Sequence, residues 1–510
     1  MRRFFLVLLS GLFMAFSWPH IGYFPFIFFA FVPLLILESQ SKNGREIFYL
    51  SFCSFFIFNS ITTYWVWHAS NIGAVFAFFI NSVLMSFVFY LYFHVKRKIP
   101  NRLGYLSLIC LWVSMEYMHL NWDLSWPWLT LGNVFAKYPI IVQWYEFTGF
   151  LGGSFWVLLI NLLVFNFLYS QKKKGNFLQL LVAFLLPIIL SLYINNSFTE
   201  NKVDKMNVLV IQPNIEPYTE KFNIPAYIQL LDFIELSEQK LVKETDLLIG
   251  PETALVGPPI DEDKLESNYQ IQTFRMLQKK YLNLNIILGA ITKKTYSTDS
   301  EVTKTARKSN DEQYDLYNSL ILIPNQGDVQ IYHKSKLVPG AEKMPFPIIL
   351  DPIAKMVIDL GGTSGSLGSP NYTEPFNING YLVSPLICYE SIYGDMQSSN
   401  SSLIIVATND GWWKNTAGYK QHFDYSLLRA VEQRKWVVRS ANTGISGIIN
   451  SKGEVVSKTN WDEVASINHI ITINDSVTFY KRFGDFIGRI FMFLSFILII
   501  ATFVKAKVKN

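Results

Sequence analysis

The sequence has little charge and little cysteine. Asp, Glu, Lys and Arg make up 16% of its 510 residues and hydrophobic residues make up 50%, whereas soluble domains carry about 25% charged residues. This balance excludes a disordered chain and an ordinary cytosolic enzyme. Three cysteines are too few for a secreted scaffold held by disulfides. The net charge of +5 comes from short basic clusters between apolar runs, so it gives no indication of nucleic-acid binding.

Long apolar runs, nearly free of charge, occupy the first 194 residues. They lie at 4–18, 22–37, 47–67, 72–94, 103–119, 148–169 and 177–194, with an eighth at 484–504. A bilayer core is crossed by about 20 helical residues. The runs therefore predict a membrane domain over 1–194 with seven transmembrane helices, and an eighth transmembrane helix at 484–504. The first run could instead be a cleaved signal peptide, because Arg2 and Arg3 precede it and Ala15-Phe16-Ser17 ends it.

Clusters of basic residues predict the orientation of these helices. The clusters precede the first run and follow the second, fourth, sixth and eighth runs: Arg2 and Arg3; Lys42 and Arg45; Lys96, Arg97, Lys98 and Arg102; Lys172, Lys173 and Lys174; Lys505, Lys507 and Lys509. Basic residues near membrane helices stay on the cytoplasmic side. Seven spans from an inside N-terminus then place the segment between 194 and 484 on the outer side.

From about residue 205 the chain alternates short β-branched runs with polar, helix-like stretches. The predicted strands are Asn207–Gln212, Asp246–Gly250, Asn285–Ile291, Ser319–Ile323, Val329–Tyr332, Leu382–Ile387, Leu403–Thr408, Trp436–Ala441 and Gly447–Asn450. The predicted helices are 225–243, 267–281 and 418–435, and 294–314 and 361–374 are predicted as loops. This alternation indicates one α/β domain over 205–475.

Three predicted strands end on residues that can carry chemistry. They lead to Glu252, Lys334 and Cys388, and we expect all three side chains to come from strand termini of one sheet. A thiol with a pKa of about 8.5 is mostly protonated near neutrality, so its attack on a carbonyl requires a base. Glu252 can supply that base and Lys334 can stabilise the resulting oxyanion together with the N–H after Cys388. Lys336 is the nearest competitor for the lysine role.

These residues resemble the motifs of the nitrilase, or carbon–nitrogen hydrolase, superfamily. The matching pieces are Pro251-Glu252, Tyr332-x-Lys334-x-x-Leu337 and Cys388-Tyr389-Glu390. The resemblance implies an αββα sandwich over 205–475, and its Tyr-x-Lys spacing selects Lys334 over Lys336.

With its membrane part the whole chain resembles the bacterial apolipoprotein N-acyltransferase family. Supporting motifs are Gln212-x-Asn214-Ile215, Asn409-Asp410-x-Trp412, Gln421-His422 and Asn442-x-Gly444, and Glu116 with Pro127-Trp128 in the membrane part. The resemblance makes Glu252 the general base, Lys334 the oxyanion stabiliser and Cys388 the acylated nucleophile, supported by Glu342, Tyr389 and Glu390. Two departures are Pro339-Gly340-Ala341-Glu342 in place of Pro-Phe-Gly-Glu, and Phe222 in place of a tryptophan.

The resemblance implies transfer of a fatty acyl chain from a phospholipid, phosphatidylethanolamine by resemblance, to the N-terminal amine of diacylated apolipoproteins. It places the chain in the bacterial inner membrane with the catalytic domain periplasmic, and it implies no cofactor. Apolar loops at 255–260 and 340–349 are candidates for excluding water. The alternatives are a membrane-tethered amidase or nitrilase with the same triad, and a transporter, for which Glu116 is the clearest ionisable candidate within a span. The purely structural interpretation of Glu116 is that it pairs near an interface with His119 or a backbone group. The seven histidines are scattered and predict no metal site.

Overall fold

The computed structural model describes residues 1–99, 102–169, 173–200, 202–297, 302–309, 312–346, 366–370, 372–396 and 401–508. The chain divides into two compact units. We call the first the helical unit; it comprises Met1–Phe198, Lys420–Glu432 and Thr478–Asn510. We call the second the sheet unit; it comprises Thr199–Tyr419 and Gln433–Val477.

The helical unit is built almost entirely from apolar α-helices. They are Arg2–Ser17, Ile27–Ala30, Val32–Gln40, Gly44–Thr63, Val66–Ala69, Asn71–Lys98, Arg102–Leu120, Tyr145–Thr148, Phe150–Tyr169, Lys173–Ser197, Phe479–Phe483 and Phe486–Val508. A further helix, Ala417–Gln433, belongs to this unit through residues 420–432. Short 3-10 helices join them at Phe24–Phe26, Pro127–Leu129, Leu131–Phe135 and Pro139–Ile141.

Within the described residues, six helices are long and apolar enough to cross a bilayer, where the sequence predicts eight spans. The difference lies in the first two runs. The first forms a helix of 16 residues, and the second is divided near Phe31 into shorter helices. At this division Pro33 has no N–H to donate, and the Phe31 N–H donates to the Asn161 side chain at 2.8 Å.

Fourteen strands of the sheet unit are found in the described residues. In chain order they are β1 (Lys202–Gln212), β2 (Leu247–Ile249), β3 (Leu255–Asp261), β4 (Asn285–Tyr296), β5 (Arg307–Ser309), β6 (Glu312–Ile323), β7 (Gln330–His333), β8 (Phe376–Ile378), β9 (Tyr381–Ile387), β10 (Leu403–Thr408), β11 (Val437–Ala441), β12 (Gly447–Ile449), β13 (Val455–Lys458) and β14 (Ala465–Asn474). The α-helices Ala226–Glu238 and Tyr269–Gln278 accompany them, with 3-10 helices at Glu262–Ser267, Cys388–Ile392 and Asp410–Trp413.

The strands form two sheets. The first has the order β14-β1-β2-β4-β6-β5, with β3 paired to β4 and β7 paired to β6. The second has the order β13-β12-β11-β10-β9-β8. The central pairs β1–β2, β2–β4, β9–β10 and β10–β11 are parallel. The carboxyl ends of β2 and of β9 therefore lie at the same edge of their sheet as the carboxyl ends of their parallel neighbours.

The first sheet buries both of its faces. Because strand side chains alternate, Val208 and Val210 of β1 enter a core shared with the second sheet. Leu209 and Ile211 enter a second core with the helices Ala226–Glu238 and Tyr269–Gln278. The sheet unit therefore has helix, sheet and sheet layers. The helix Ala417–Gln433 connects the parallel strands β10 and β11, and its residues 420–432 belong to the helical unit.

Several predictions for the sheet unit were wrong in detail. The predicted loop 294–314 contains the end of β4, all of β5 and the start of β6. The predicted loop 255–260 is part of strand β3, which contains two prolines and one glycine. These residues are more typical of turns than of strands. Strands β8, β13 and β14 were not predicted. Residues 361–365 and 371 of the predicted loop 361–374, and residues 347–349 of the loop 340–349, lie outside the described residues.

Candidate active site

The centre of the candidate site is the buried ammonium of Lys334, which follows β7. The side chain is 1% exposed, and its Nζ lies 2.8 Å from Glu342 Oε1 and 3.4 Å from Glu252 Oε1. Burial alone lowers the pKa of Lys334, but Glu342 and then Glu252 outweigh it and hold that pKa well above its usual value. Lys334 is therefore a fixed positive charge. Lys336 instead lies over the ring of Tyr393, 5.1 Å from its centre.

Asn318 of β6 joins the two carboxylates and was missed by the sequence analysis. Its Nδ2 donates to Glu252 Oε1 at 2.7 Å and to Glu342 Oε1 at 3.0 Å. The main-chain carbonyl of Asn318 accepts from the main-chain N–H of Lys334 at 2.8 Å. The only sign of Asn318 in the sequence was its position, as a polar residue directly before the predicted strand Ser319–Ile323. A polar residue at that position is equally typical of an ordinary strand end.

Glu342 reaches the site although its loop departs from the family pattern. Gly340 adopts a φ of +82°, which suits glycine, and the Glu342 N–H donates to the Val338 carbonyl at 3.0 Å. Glu342 Oε2 accepts from the Val338 N–H at 2.8 Å. The turn thus directs the carboxylate toward Lys334 despite the shifted glycine.

The backbone around Glu252 is tightly constrained. Glu252 follows β2, and Thr253 has a φ of +52°. Gly289 of β4 lies so close that a Cβ there would stand 2.4 Å from the Thr253 nitrogen and 2.7 Å from the Glu252 Cα. No side chain fits at position 289 without moving the segment that carries Glu252. The Asn409 N–H donates to Glu252 Oε2 at 3.1 Å.

Asn409, Asp410 and Asn442, which belong to the supporting sequence motifs, are buried near Glu252. Asn442 Nδ2 donates to Asn409 Oδ1 at 3.2 Å and to the Ile215 carbonyl at 2.7 Å. Asp410 pairs with the buried Arg439, Nη2 to Oδ2, at 2.7 Å. The Asn–Asp motif therefore supports the end of β10, from which the Asn409 N–H reaches Glu252.

Cys388 lies directly after β9, at the start of the 3-10 helix Cys388–Ile392. Its φ is +48°, a conformation that costs a non-glycine residue about 1–3 kcal/mol and is frequent at functional sites. Burial raises the pKa of the Cys388 thiol, Glu252 raises it further, and Lys334 opposes the rise. The thiol is therefore protonated near neutrality, and the charges of both Glu252 and Lys334 act on it. Cys388 belongs to the second sheet, so the expectation that all three residues come from one sheet was wrong.

Glu390 connects the turn that carries Cys388 to the end of strand β7, which precedes Lys334. Its Oε1 accepts from the Ser335 N–H at 2.7 Å, the Ser335 hydroxyl at 2.9 Å and the Lys336 N–H at 3.2 Å. Its Oε2 accepts from the Tyr332 hydroxyl at 3.0 Å and the Ile387 N–H at 2.8 Å. One buried carboxylate thus fixes the end of β7, in the first sheet, against the end of β9, in the second.

The remaining sequence candidates have other surroundings. Tyr389 is buried and packs edge-on against Tyr393, with ring centres 5.4 Å apart. Phe222 is 49% exposed. Glu116, in the helical unit, accepts from the Trp112 indole at 2.9 Å and the Leu131 N–H at 2.8 Å. Its expected pairing with a backbone group is therefore present.

The cluster contains a thiol, buried carboxylates and a fixed cation, the kinds of group that acyl transfer through a thiol requires. Both the N-terminal apolar part of the chain and its sheet-rich part match families of known proteins. The family model for carbon–nitrogen hydrolases matches residues 210–474, and the model for the N-terminal domain of apolipoprotein N-acyltransferases matches residues 10–163. The chain belongs to the apolipoprotein N-acyltransferase family. Membership makes it an acyltransferase and supports the transferase interpretation over the amidase.

Curated relatives named apolipoprotein N-acyltransferase align along most of the chain. The protein from Chlorobaculum tepidum is 27% identical over 99% of this chain and 97% of its own. The protein from Rickettsia prowazekii is 31% identical over 78% of this chain and 76% of its own. The protein from Geobacter metallireducens is 26% identical over 95% of this chain and 92% of its own. The similarity therefore covers the helical and sheet units together.

Replacement of the base should slow acylation without unfolding the protein. We expect Glu252→Gln to lower the rate by about 10²–10⁴, the usual contribution of a general base, because the Cys388 thiol is otherwise protonated. The burst of p-nitrophenolate from a p-nitrophenyl fatty ester measures acylation. Glu312→Gln, which removes a surface carboxylate paired with Lys293 at 2.9 Å, is the control. A native burst rate in Glu252→Gln would remove Glu252 from the mechanism.

Replacement of Glu390 should weaken the connection between the turn that carries Cys388 and the end of strand β7. In Glu390→Gln an amide nitrogen must face donors that a carboxylate oxygen accepted, and each unsatisfied buried donor costs about 1–3 kcal/mol. We expect a lower melting temperature and a reduced burst rate. Ser335→Ala removes one hydroxyl donor and should have a smaller effect on both. Equal effects of the two variants would contradict the connecting role of Glu390.

Proposed function

We propose that this chain transfers a fatty acyl chain from a phospholipid, through a thioester on Cys388, to the N-terminal amine of diacylated apolipoproteins. The observation that carries the proposal is the buried Lys334 ammonium, 3.4 Å from Glu252, with Cys388 in a left-handed turn that Glu390 joins to the end of β7. Membership of the acyltransferase family gives the acceptor class, and the apolar helices indicate a donor that resides in a bilayer.

In the first half-reaction Cys388 takes the acyl chain. The thiol proton passes to Glu252 as Sγ bonds to the ester carbonyl carbon, and the carbonyl electrons move to its oxygen. Lys334 stabilises that oxyanion, as fixed cations and N–H groups do in acyl transfer. When the carbonyl re-forms, the bond to the glycerol oxygen breaks and Glu252 returns the proton to that oxygen. Lysophospholipid leaves and the thioester remains.

In the second half-reaction an amine replaces the thiol. The α-amine of the acceptor attacks the thioester carbonyl, Glu252 accepts its proton, and Lys334 again faces the oxyanion. The bond from carbon to sulfur then breaks, and the proton returns to Sγ. The cycle needs no cofactor. Water must stay away from the thioester between the two steps, and the burial of Cys388, 7% exposed, supports this.

A bilayer location follows from the chemistry of the donor. Extraction of an acyl chain from lipid costs about 0.8 kcal/mol per CH₂, or about 10 kcal/mol for a chain of 16 carbons. An enzyme embedded in the membrane avoids most of that cost. Helix Lys173–Ser197 is apolar and exposed along most of its length, as expected of a helix that faces lipid.

The proposed orientation has the basic clusters in the cytoplasm and the sheet unit on the periplasmic side of the inner membrane. Three clusters lie at one end of the helical unit. Arg3 pairs with Glu46 and donates to the Gln40 carbonyl at 3.2 Å, and Lys96 and Arg97 both pair with the buried Glu38. These contacts support a common side for the clusters, and we propose that the two short apolar runs complete eight spans.

A transfer assay with both substrates tests the proposed function. In vesicles of phosphatidylethanolamine the native protein should form a hydroxylamine-sensitive acyl adduct on Cys388, detected by mass spectrometry. Added diacylated lipopeptide should then become N-acylated, with one lysophospholipid released per peptide. Cys388→Ala should abolish both signals, whereas Cys53→Ala, which removes a cysteine of helix Gly44–Thr63, should retain them.

Two outcomes would revise the proposal. Release of free fatty acid with no acylated peptide would favour the amidase or hydrolase alternative. Equal adduct formation in vesicles of phosphatidylglycerol would remove the preference for phosphatidylethanolamine while leaving the reaction intact.

A further inference from the structure

Lys221 is a second buried lysine beside the base, and the mechanism above does not use it. Its side chain lies in the segment between β1 and the helix Ala226–Glu238 and is 2% exposed. Its Nζ donates to the main-chain carbonyl of Glu252 at 3.3 Å. Its own backbone is fixed, because its N–H donates to the Glu216 carbonyl at 3.0 Å and its carbonyl accepts from Gln229 Nε2 at 2.7 Å.

The charges of the site show what a second cation contributes. Glu252 and Glu342, the two carboxylates paired with the Lys334 ammonium, bring two negative charges, and Lys334 neutralises one of them. With Lys221 protonated the four groups are balanced before the thiol is attacked. They stay balanced afterwards, because Glu252 gains a proton as the substrate oxygen gains a negative charge. Without Lys221 the oxyanion would form in a cluster that already carries an uncompensated negative charge, which disfavours it in a buried site.

The geometry points to Lys221 as a positioning residue for Glu252. We propose that its ammonium fixes the main chain that carries the base and supplies the second positive charge of the site. This role rests on the proposed function of Glu252 as the base. Lys221 acts through Glu252 and is not placed in contact with substrate.

The charge state of Lys221 changes within an accessible pH range. Burial lowers its pKa to about 8, and the Glu252 carboxylate, the charged group that acts on it, opposes the decrease. The ammonium is therefore present below pH 8 and lost above it. We expect the native acylation rate to decline above about pH 8, where the second positive charge disappears.

The same domain contains a matched control. Lys435, two residues after the helix Ala417–Gln433, is also fully buried and also donates to a main-chain carbonyl, that of Asn474. Burial lowers its pKa to about 8 as well, and there the opposing carboxylate is Asp475. Lys435 thus shares the burial, the type of hydrogen bond and the pKa of Lys221, but its partners are not residues of the site.

The experiment measures acylation of the full-length protein by a p-nitrophenyl fatty ester as a function of pH. Lys221→Met should slow the burst by about 10²-fold, the effect of a small displacement of a catalytic group, and should abolish the decline above pH 8. Lys221→Arg keeps the charge at every pH, so it should recover much of the rate and also lack the decline. Lys435→Met should keep the native rate and the native profile.

The possible outcomes are separable. A native rate and profile in Lys221→Met, or an equal loss in Lys435→Met, would overturn the role of Lys221 and leave the proposed function intact. A slow Lys221→Met that retains the decline above pH 8 would also overturn it, because the titrating group would be another. If the native chain shows no burst and no adduct on Cys388, the proposed function fails and the role of Lys221 fails with it.

Discussion

The Lys334 ammonium is the charge on which the geometry of the site depends. A cation with 1% exposure is tolerated in a protein interior only when it is paired and hydrogen-bonded. Its partners come from separate parts of the first sheet, Glu252 after β2 and Glu342 in the turn after β7, and Asn318 of β6 donates to both. The same pairing that makes burial possible also keeps Lys334 charged, which is the property that an oxyanion requires.

Cys388, the proposed nucleophile, comes from the other sheet, so the proposed chemistry depends on how the two sheets are joined. The core between them includes Ile249 of β2 and Ile387 of β9, and Glu390 connects the ends of β7 and β9 through five hydrogen bonds. The left-handed backbone at Cys388 then places a protonated thiol within the fields of Lys334 and Glu252. Such a thiol is inert until a base removes its proton during attack, which suits an enzyme that must not react before its acyl donor is bound.

The sequence predicted the strands better than the connections between them. Alternating apolar runs located most of the strands, and three strand ends with the motifs around them pointed to Glu252, Lys334 and Cys388 as the candidate catalytic residues. It could not show that Cys388 belongs to a second sheet, because strand pairing depends on contacts distant in sequence. Asn318 and Lys221 were missed for a related reason, since their importance lies in contacts with Glu252, from which both are distant in sequence. Strand β3 was read as a loop because local composition suggested turns, while pairing with β4 made it a strand.

A double-mutant cycle between Lys334 and Glu342 tests the central claim most directly. The burst rate of acylation is measured for Lys334→Met, Glu342→Gln and the double variant in the full-length protein. If Glu342 acts only by holding the ammonium, the double variant should be no slower than Lys334→Met alone, because coupled groups are not additive. Independent losses that add within about 0.5 kcal/mol would contradict the account, since Glu342 would then contribute to the reaction without the cation it is placed to hold.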